Sequence, residues 1–329
     1  MKLPVEMKQA YLKSLHDGGT ATTLDVWEML NAAIRGDIER ISQLVDANRP
    51  LLTCQFDYTS PMHFAVREGH YELVRYFVEN GALDPGYWVH PFKDTLVMVA
   101  EDRGLDDIAQ YLRRNLEDPS RTHAWGDTGG VDFGKDEERN RFQKLADQCN
   151  VAECKAMLKE CPDLALDEVA FWGEGVMSSP ANSGNRPMLE LLMSYGATVP
   201  KLSKWGARYY FKHYETAKFL LENDMDPNHM NWREFTLLHD MGHTGNVEKA
   251  ALLVDHGADI DPIDDEFSST PLGYAAKWGN RDVAKLLLER GADPNKAGAV
   301  WATPLAWAER RGHADIAEDL KRAGAEARA

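Results

Sequence analysis

The chain has 329 residues, with 53 acidic against 37 basic side chains and a formal net charge of −16. That charge opposes general binding to nucleic-acid phosphates and to anionic membrane surfaces, though a local basic strip is still compatible with it. The four cysteines (Cys54, Cys149, Cys154, Cys161) form no Cys-x-x-Cys pair and no zinc spacing, and no apolar run is long enough to span a bilayer.

Met1–Gly19 carries Glu6, Lys8, Lys13 and His16 between scattered apolar residues, unlike the apolar core of a signal peptide. The expected location is cytoplasmic, with reduced thiols. Residues 1–24 read as an N-terminal extension, of which 5–15 could form a short amphipathic helix laid against the first helical unit. Regular structure begins at about Asp25. Leu30-Asn-Ala-Ala-Ile-Arg-Gly-Asp gives a helix ending at Gly36, and Ile38, Ile41, Leu44 and Val45 give a second. Ser60-Pro-Met-His-Phe-Ala with Gly69 and Gly81 opens another helix pair, and Thr95-Leu-Val-Met-Val-Ala with Gly104 a third, so residues 25–113 hold three units. Residues 114–140 break the period and read as an insertion or linker, rich in charge and glycine, with His123-Ala-Trp125 as its one aromatic patch.

Residues 141–329 resume the pattern. Leu145-Ala-Asp-Gln-Cys-Asn-Val resembles the rhythm of the first unit, which suggests two stacked sub-arrays. The next unit is eroded, since Met177-Ser-Ser-Pro-Ala-Asn-Ser stands where a helix should begin and Pro180 argues for a short or distorted one. The unit after it is shorter still. From Thr236 onward the pattern is regular. Thr236-Leu-Leu-His, Thr270-Pro-Leu-Gly and Thr303-Pro-Leu-Ala recur at spacings of 34 and 33, and Gly245, Gly279, Gly312 and Gly257, Gly291, Gly324 keep the same spacings. In Thr270–Asn295 the threonine can N-cap a helix, Pro271 suits its first position, Gly279 suits its left-handed cap, and Val283, Leu286 and Leu287 face one side of a second helix. Neither helix is long enough to be stable alone, so the unit must stack on others.

These markers resemble the ankyrin repeat, a unit of about 33 residues with Thr-Pro-Leu-His-x-Ala. The resemblance is strongest from Asp226 to the C-terminus. It implies an all-α solenoid, here of about nine helix-turn-helix units with short β-hairpin fingers, and a recognition surface made of the fingertips and the two residues before each first helix's closing glycine. Carried over by register, those positions hold Trp172, Glu174, Tyr210, Trp232, Arg233, Phe235, His243, Glu266, Phe267, Lys277, Trp278, Trp301, Arg310 and Arg311, and Trp205 of the irregular middle joins them as a binding candidate. His243, Lys277, Arg310 and Arg311 would form a cationic strip beside aromatics that repeat packing does not require, the residue types enriched in interface hot spots. The alternative is that Trp232 and Trp278 pack on neighbouring fingers and the cations pair with Asp264, Asp265 and Glu266.

Chemical motifs are sparse. No phosphate-binding loop or nucleophile elbow occurs, and Gly173-Glu-Gly175 lacks the setting of a dinucleotide site. His239 and His243 share one helix face, yet His239 occupies the repeat's own histidine position and His243 aligns with Lys277, so no metal and no cofactor is implied. The leading expectation is a non-enzymatic scaffold that binds a protein or peptide with acidic and apolar features in its concave groove. The alternative is a small-molecule-binding protein or enzyme with a pocket in units five to seven. There Trp172, Glu174, Lys204, Trp205, Tyr209, Tyr210, Lys212 and His213 crowd together, and Glu174 or His213 could act as acid or base.

Overall fold

A computed structural model describes residues 1–16, 18–116 and 130–327. The chain is mostly helical and divides into two compact units, one of Glu6–Gly134 and one of Met1–Val5 with Lys135–Ala329.

In the first unit the helix pairs are Thr23–Arg35 with Ile38–Ala47, Pro61–Arg67 with Tyr71–Glu79, and Leu96–Asp102 with Asp106–Leu116. The N-terminal extension differs from the expected helix. After a 3-10 turn at Val5–Met7, the strand Leu12–Ser14 pairs antiparallel with Thr20–Thr22 on one side and Val131–Asp132 on the other. The reason is local: Gly18, at φ 85°, turns the chain tightly, and alternation exposes Leu12 and Ser14 while burying Lys13 and Leu15. This small sheet means that the fold is not purely α. It also leads into Thr22, which caps the first helix in a reciprocal arrangement with Asp25. The region 114–140 is narrower as a break than its composition suggests, since one helix runs to Leu116 and the next begins at Glu137. Its aromatic patch lies outside the described residues.

In the second unit the pairs are Glu137–Asp147 with Val151–Glu160, Ser178–Ser183 with Arg186–Ser194, Gly206–Tyr209 with Tyr214–Leu221, Leu237–Thr244 with Val247–Asp255, Pro271–Trp278 with Arg281–Glu289, and Pro304–Arg311 with Ala314–Arg322. Ser60, Thr95, Thr236, Thr270 and Thr303 each accept the third helical N–H, so the opening polar residue is a real cap in these units, whereas Ser178–Ser183 and Gly206–Tyr209 follow Met177 and Trp205 and have no side-chain cap. The fingers before the first helices are held by isolated bridges such as Phe56 with Thr59 and Val89 with Asp94, shorter than full hairpins. Pro180 sits in the first turn of Ser178–Ser183, where its missing donor is harmless, but that helix has only six residues against eight in Pro271–Trp278.

Successive units are tied at one recurrent point. At Gly36, Gly69, Gly184, Gly245 and Gly279 the residue that starts the next unit's second helix stands over the closing glycine of the preceding first helix. His70 Nε2 lies 2.8 Å from the Ile34 carbonyl, His213 Nε2 3.0 Å from that of Asn182, and Asn280 Nδ2 donates to the carbonyls of Gly242 and His243 at 2.8 Å. At Gly279, with φ 74°, an added Cβ would also stand 2.7 Å from the His313 ring. Gly312 has nearly the same φ, 77°, and open space beside it. Both Gly279→Ala and Gly312→Ala should therefore carry backbone strain of about 1–2 kcal/mol. Gly279→Ala should carry a further loss from displacing His313. Urea unfolding of the two variants checks this, and equal midpoints would show that the His313 contact contributes nothing.

Candidate functional site

Between the helices Val151–Glu160 and Ser178–Ser183 the chain makes a four-residue turn, Ala170–Gly173, in which Phe171 and Trp172 have φ of 49° and 61°. Two consecutive bulky residues in the left-handed region are strained, and such strain persists only where the surroundings over-determine it. They do so here. The Phe171 ring is buried and its N–H donates to Gln143 Oε1 at 3.3 Å. The Glu174 carboxylate, fully buried, accepts the backbone N–H groups of Lys204 at 3.0 Å and Trp205 at 3.3 Å, and the Tyr210 hydroxyl donates to the Glu174 carbonyl. With Phe171 anchored below, Trp172 is driven outward and is 62% exposed.

Trp172 stands at the edge of a cavity of about 730 Å³, within the size range of ligand sites. Phe171, Tyr209 and Phe211 form apolar walls. The charged lining is Asp147 and Asp240 with Arg208, Lys212 and Lys249, and Ser178, Ser179 and Thr244 are among the neutral polar residues. Burial pushes the half-buried Asp240 carboxyl up to about 6 and lowers the Lys249 ammonium from its ordinary value. Lys249 Nζ donates to the carbonyls of Phe211 at 2.6 Å and Lys212 at 2.9 Å. Trp205 lies half-buried beside this region, stacked on Tyr209 with ring centroids 6.1 Å apart and carrying Arg208 over its face.

The other candidates are placed differently. Trp232 and Phe267, expected to stand out from the fingers, are buried, and Tyr210 is buried with them. Arg233 and Glu266 form an ion pair at 3.3 Å with almost no exposure. Asp264 explains the inward finger: its carboxylate accepts from the backbones of Glu266, Phe267 and Ser269 and from the Tyr274 hydroxyl, closing a turn that directs Phe267 inward. Lys277 does not face a groove. It is 5% exposed, with Nζ 4.4 Å from the ring centre of Phe267, 4.9 Å from Trp278 and 4.4 Å from Trp307. Arg310 and Arg311 lie over Trp307, and Arg310 also donates to the Trp301 carbonyl. Trp301 packs edge-on against Trp307, Phe235 packs against His239 and Tyr274, and His243 packs edge-on against Trp278. Burial, with Lys277 nearby, lowers His243 to about 4. The expected cationic strip is thus largely an internal cation–aromatic stack. His239 has both ring nitrogens engaged, with Thr236 and with the Ser269 carbonyl. The acid–base candidates are committed as well, Glu174 to backbone N–H groups and His213 to Asn182.

Asp147, Ser178 and Asp240 line the cavity and are not among the residues that the repeat register singles out. Asp240 had a readable signal: four residues after the capping threonine, the next two units place Tyr274 and Trp307, both buried, where this unit has a carboxylate. Lys277→Ala should lower stability by on the order of 2 kcal/mol, the worth of a desolvated cation on aromatic faces. Arg310→Ala, at an exposed position, should change it by no more than about 0.5 kcal/mol. Equal small effects in urea titrations would show that the rings do not hold Lys277.

The profile described as "Ankyrin repeats (3 copies)" matches residues 29–123 and 204–297, together more than half of the chain. Ankyrin repeat protein nuc-2 of Neurospora crassa is 25% identical over 311 residues, covering 85% of this chain and 26% of its own length. An ankyrin repeat-containing protein of Treponema pallidum is 47% identical over 55 residues, 17% of this chain and 18% of its own. The B-cell lymphoma 3 protein homolog of Mus musculus is 37% identical over 65 residues, 20% of this chain and 14% of its own. The chain therefore spans about a quarter or less of the length of these relatives. Among the described residues no helix is long and apolar enough to cross a membrane. Both the matched profile and the capped, stacked helix pairs establish that this chain belongs to the ankyrin-repeat family.

Proposed function

We propose that the chain is a non-enzymatic recognition scaffold of nine helix-pair units, which holds a segment of a partner protein in the groove of its second unit. Ankyrin repeats are generally protein–protein interaction modules, which supports the class. The observation that carries the site is the strained turn that presents Trp172 over the cavity. An indole exposed in this way contributes little to the fold, and a partner that covers it gains apolar burial with a rigid ring. The apolar character expected of the partner keeps this support, whereas the expectation of an acidic partner rested on a strip whose Lys277 is buried.

The cavity's size also suits a small molecule, the second reading. That reading has lost its acid–base residues, since Glu174 and His213 serve the scaffold.

Trp172→Gly separates function from structure. Glycine adopts φ 61° without strain, and the lost ring is mostly exposed, so the variant should be more stable than the parent by about 1 kcal/mol in urea. It should also lose at least tenfold in affinity for peptides selected on the full chain from a random display library. A destabilised variant would make the ring structural. An unchanged affinity would place recognition elsewhere.

A further inference from the structure

The first residues of the chain lie on the fingers of the second unit, to which Met1–Val5 belong by their packing. The finger before Leu237–Thr244 is a tight loop closed by Asn231. Its N–H donates to the Phe235 carbonyl at 2.9 Å, and its Oδ1 accepts the N–H groups of Arg233 at 2.9 Å and Phe235 at 3.1 Å. This closure holds Glu234 at φ 60°, a strained position for so large a side chain. The next finger is joined to it, since the Asp265 N–H donates to the Arg233 carbonyl at 2.9 Å. Arg233, the cation of this edge, is turned inward to Glu266. Glu234 and Asp265 are left together at the surface as two partly exposed carboxylates.

The chain's own start is seated on them. The Met1 ammonium lies 3.7 Å from an oxygen of each carboxylate, Lys2 Nζ lies 3.6 Å from Glu234, and the Lys2 N–H donates to the Trp232 carbonyl at 2.8 Å. The Met1 side chain and Pro4 are buried, whereas Lys2 and Leu3 face solvent. Ion pairs at such distances between partly exposed groups are individually weak and screened by salt. A tethered segment keeps its place on weak contacts because its effective concentration is high. Every contact it makes can be reproduced by another chain. We propose that the finger edge at Trp232, Glu234 and Asp265 is a docking strip for a linear, positively charged segment of a partner protein, and that Met1–Pro4 cover it as a displaceable strap. The incoming segment takes over the same contacts, an N–H to the Trp232 carbonyl and cationic groups to the two carboxylates. The net charge of −16 draws such a segment towards the chain. The strip shares no residue with the Trp172 recess and does not depend on it.

The test uses the full, ¹⁵N-labelled chain, its Lys2→Glu variant and two probes. One probe is the peptide amide Met-Lys-Leu-Pro-Val, and the other is its neutral counterpart, acetyl-Met-Gln-Leu-Pro-Val amide. Lys2 is exposed, so its replacement leaves the fold intact and turns the attraction to Glu234 into repulsion. The charged probe should shift the Glu234 and Asp265 amide signals to saturation and bind Lys2→Glu at least tenfold more tightly than the parent chain. That gain should vanish when Glu234→Gln and Asp265→Asn are added. The neutral probe should bind Lys2→Glu at least tenfold more weakly than the charged one. Absence of a saturable shift in Lys2→Glu, or equal binding of the two probes to it, overturns the docking strip. Equal affinity of the charged probe for the parent and Lys2→Glu overturns the strap, because a segment that covers the strip must compete for it. The probe comparison is made on a single protein, so a folding defect in the triple variant cannot obscure it.

Discussion

Much of the structure depends on a contact made at Gly36, Gly69, Gly184, Gly245 and Gly279, where the first residue of the next unit's second helix covers the glycine that closes the helix before it. That glycine must take a left-handed φ to end its helix, and at Gly36, Gly245 and Gly279 it must also be bare, because His70, Asn280 and His313 occupy the space a Cβ would need. The contact fixes the register between neighbours at a point that does not involve the fingers or the start of the first helix. Stability in such an array is close to a sum of unit and neighbour terms, so a unit can lose much of its own pattern if this contact is kept.

The irregular region follows that logic. Ser178–Ser183 is short and Gly206–Tyr209 is shorter, yet Gly184 still closes its helix at φ 71° and His213 still reaches the Asn182 carbonyl. With register secured there, the chain before Ser178 is released from helical geometry and folds as the strained Phe171–Trp172 turn. Glu174 then braces that turn through Lys204 and Trp205. The carboxylate that looked like a catalytic candidate is what allows an indole to stand in solvent.

The repeat itself was legible because it is written in residue types with local mechanical roles. Threonine or serine at the cap, proline after it and glycine at the close each satisfy a backbone requirement, and each stands where the sequence places it. The fate of the aromatics was not legible in the same way. Trp232, Phe267 and Lys277 fall at positions that in a typical array face outward, and their burial follows from one local event, the Asp264 turn, and two between units, the packing of Trp307 and the pairing of Arg233 with Glu266. The three-stranded sheet of the first unit was hidden for a related reason, since Val131–Asp132 comes from far along the chain to pair with Leu12–Ser14. Asp240 could have been found by comparing equivalent positions, because a carboxylate replaces Tyr274 and Trp307 in that column.

The central claim is that the glycine-covering contact, and not the length of the helices, holds the irregular units and the turn they carry. Native-state hydrogen exchange on His213→Ala tests it most directly. Removing that side chain should lower amide protection across 170–194 while leaving Pro271–Glu289 and Pro304–Arg322 as slow as in the parent, because coupling in a repeat array acts between neighbours. Unchanged protection across 170–194 would contradict the account, and so would a uniform loss along the whole second unit.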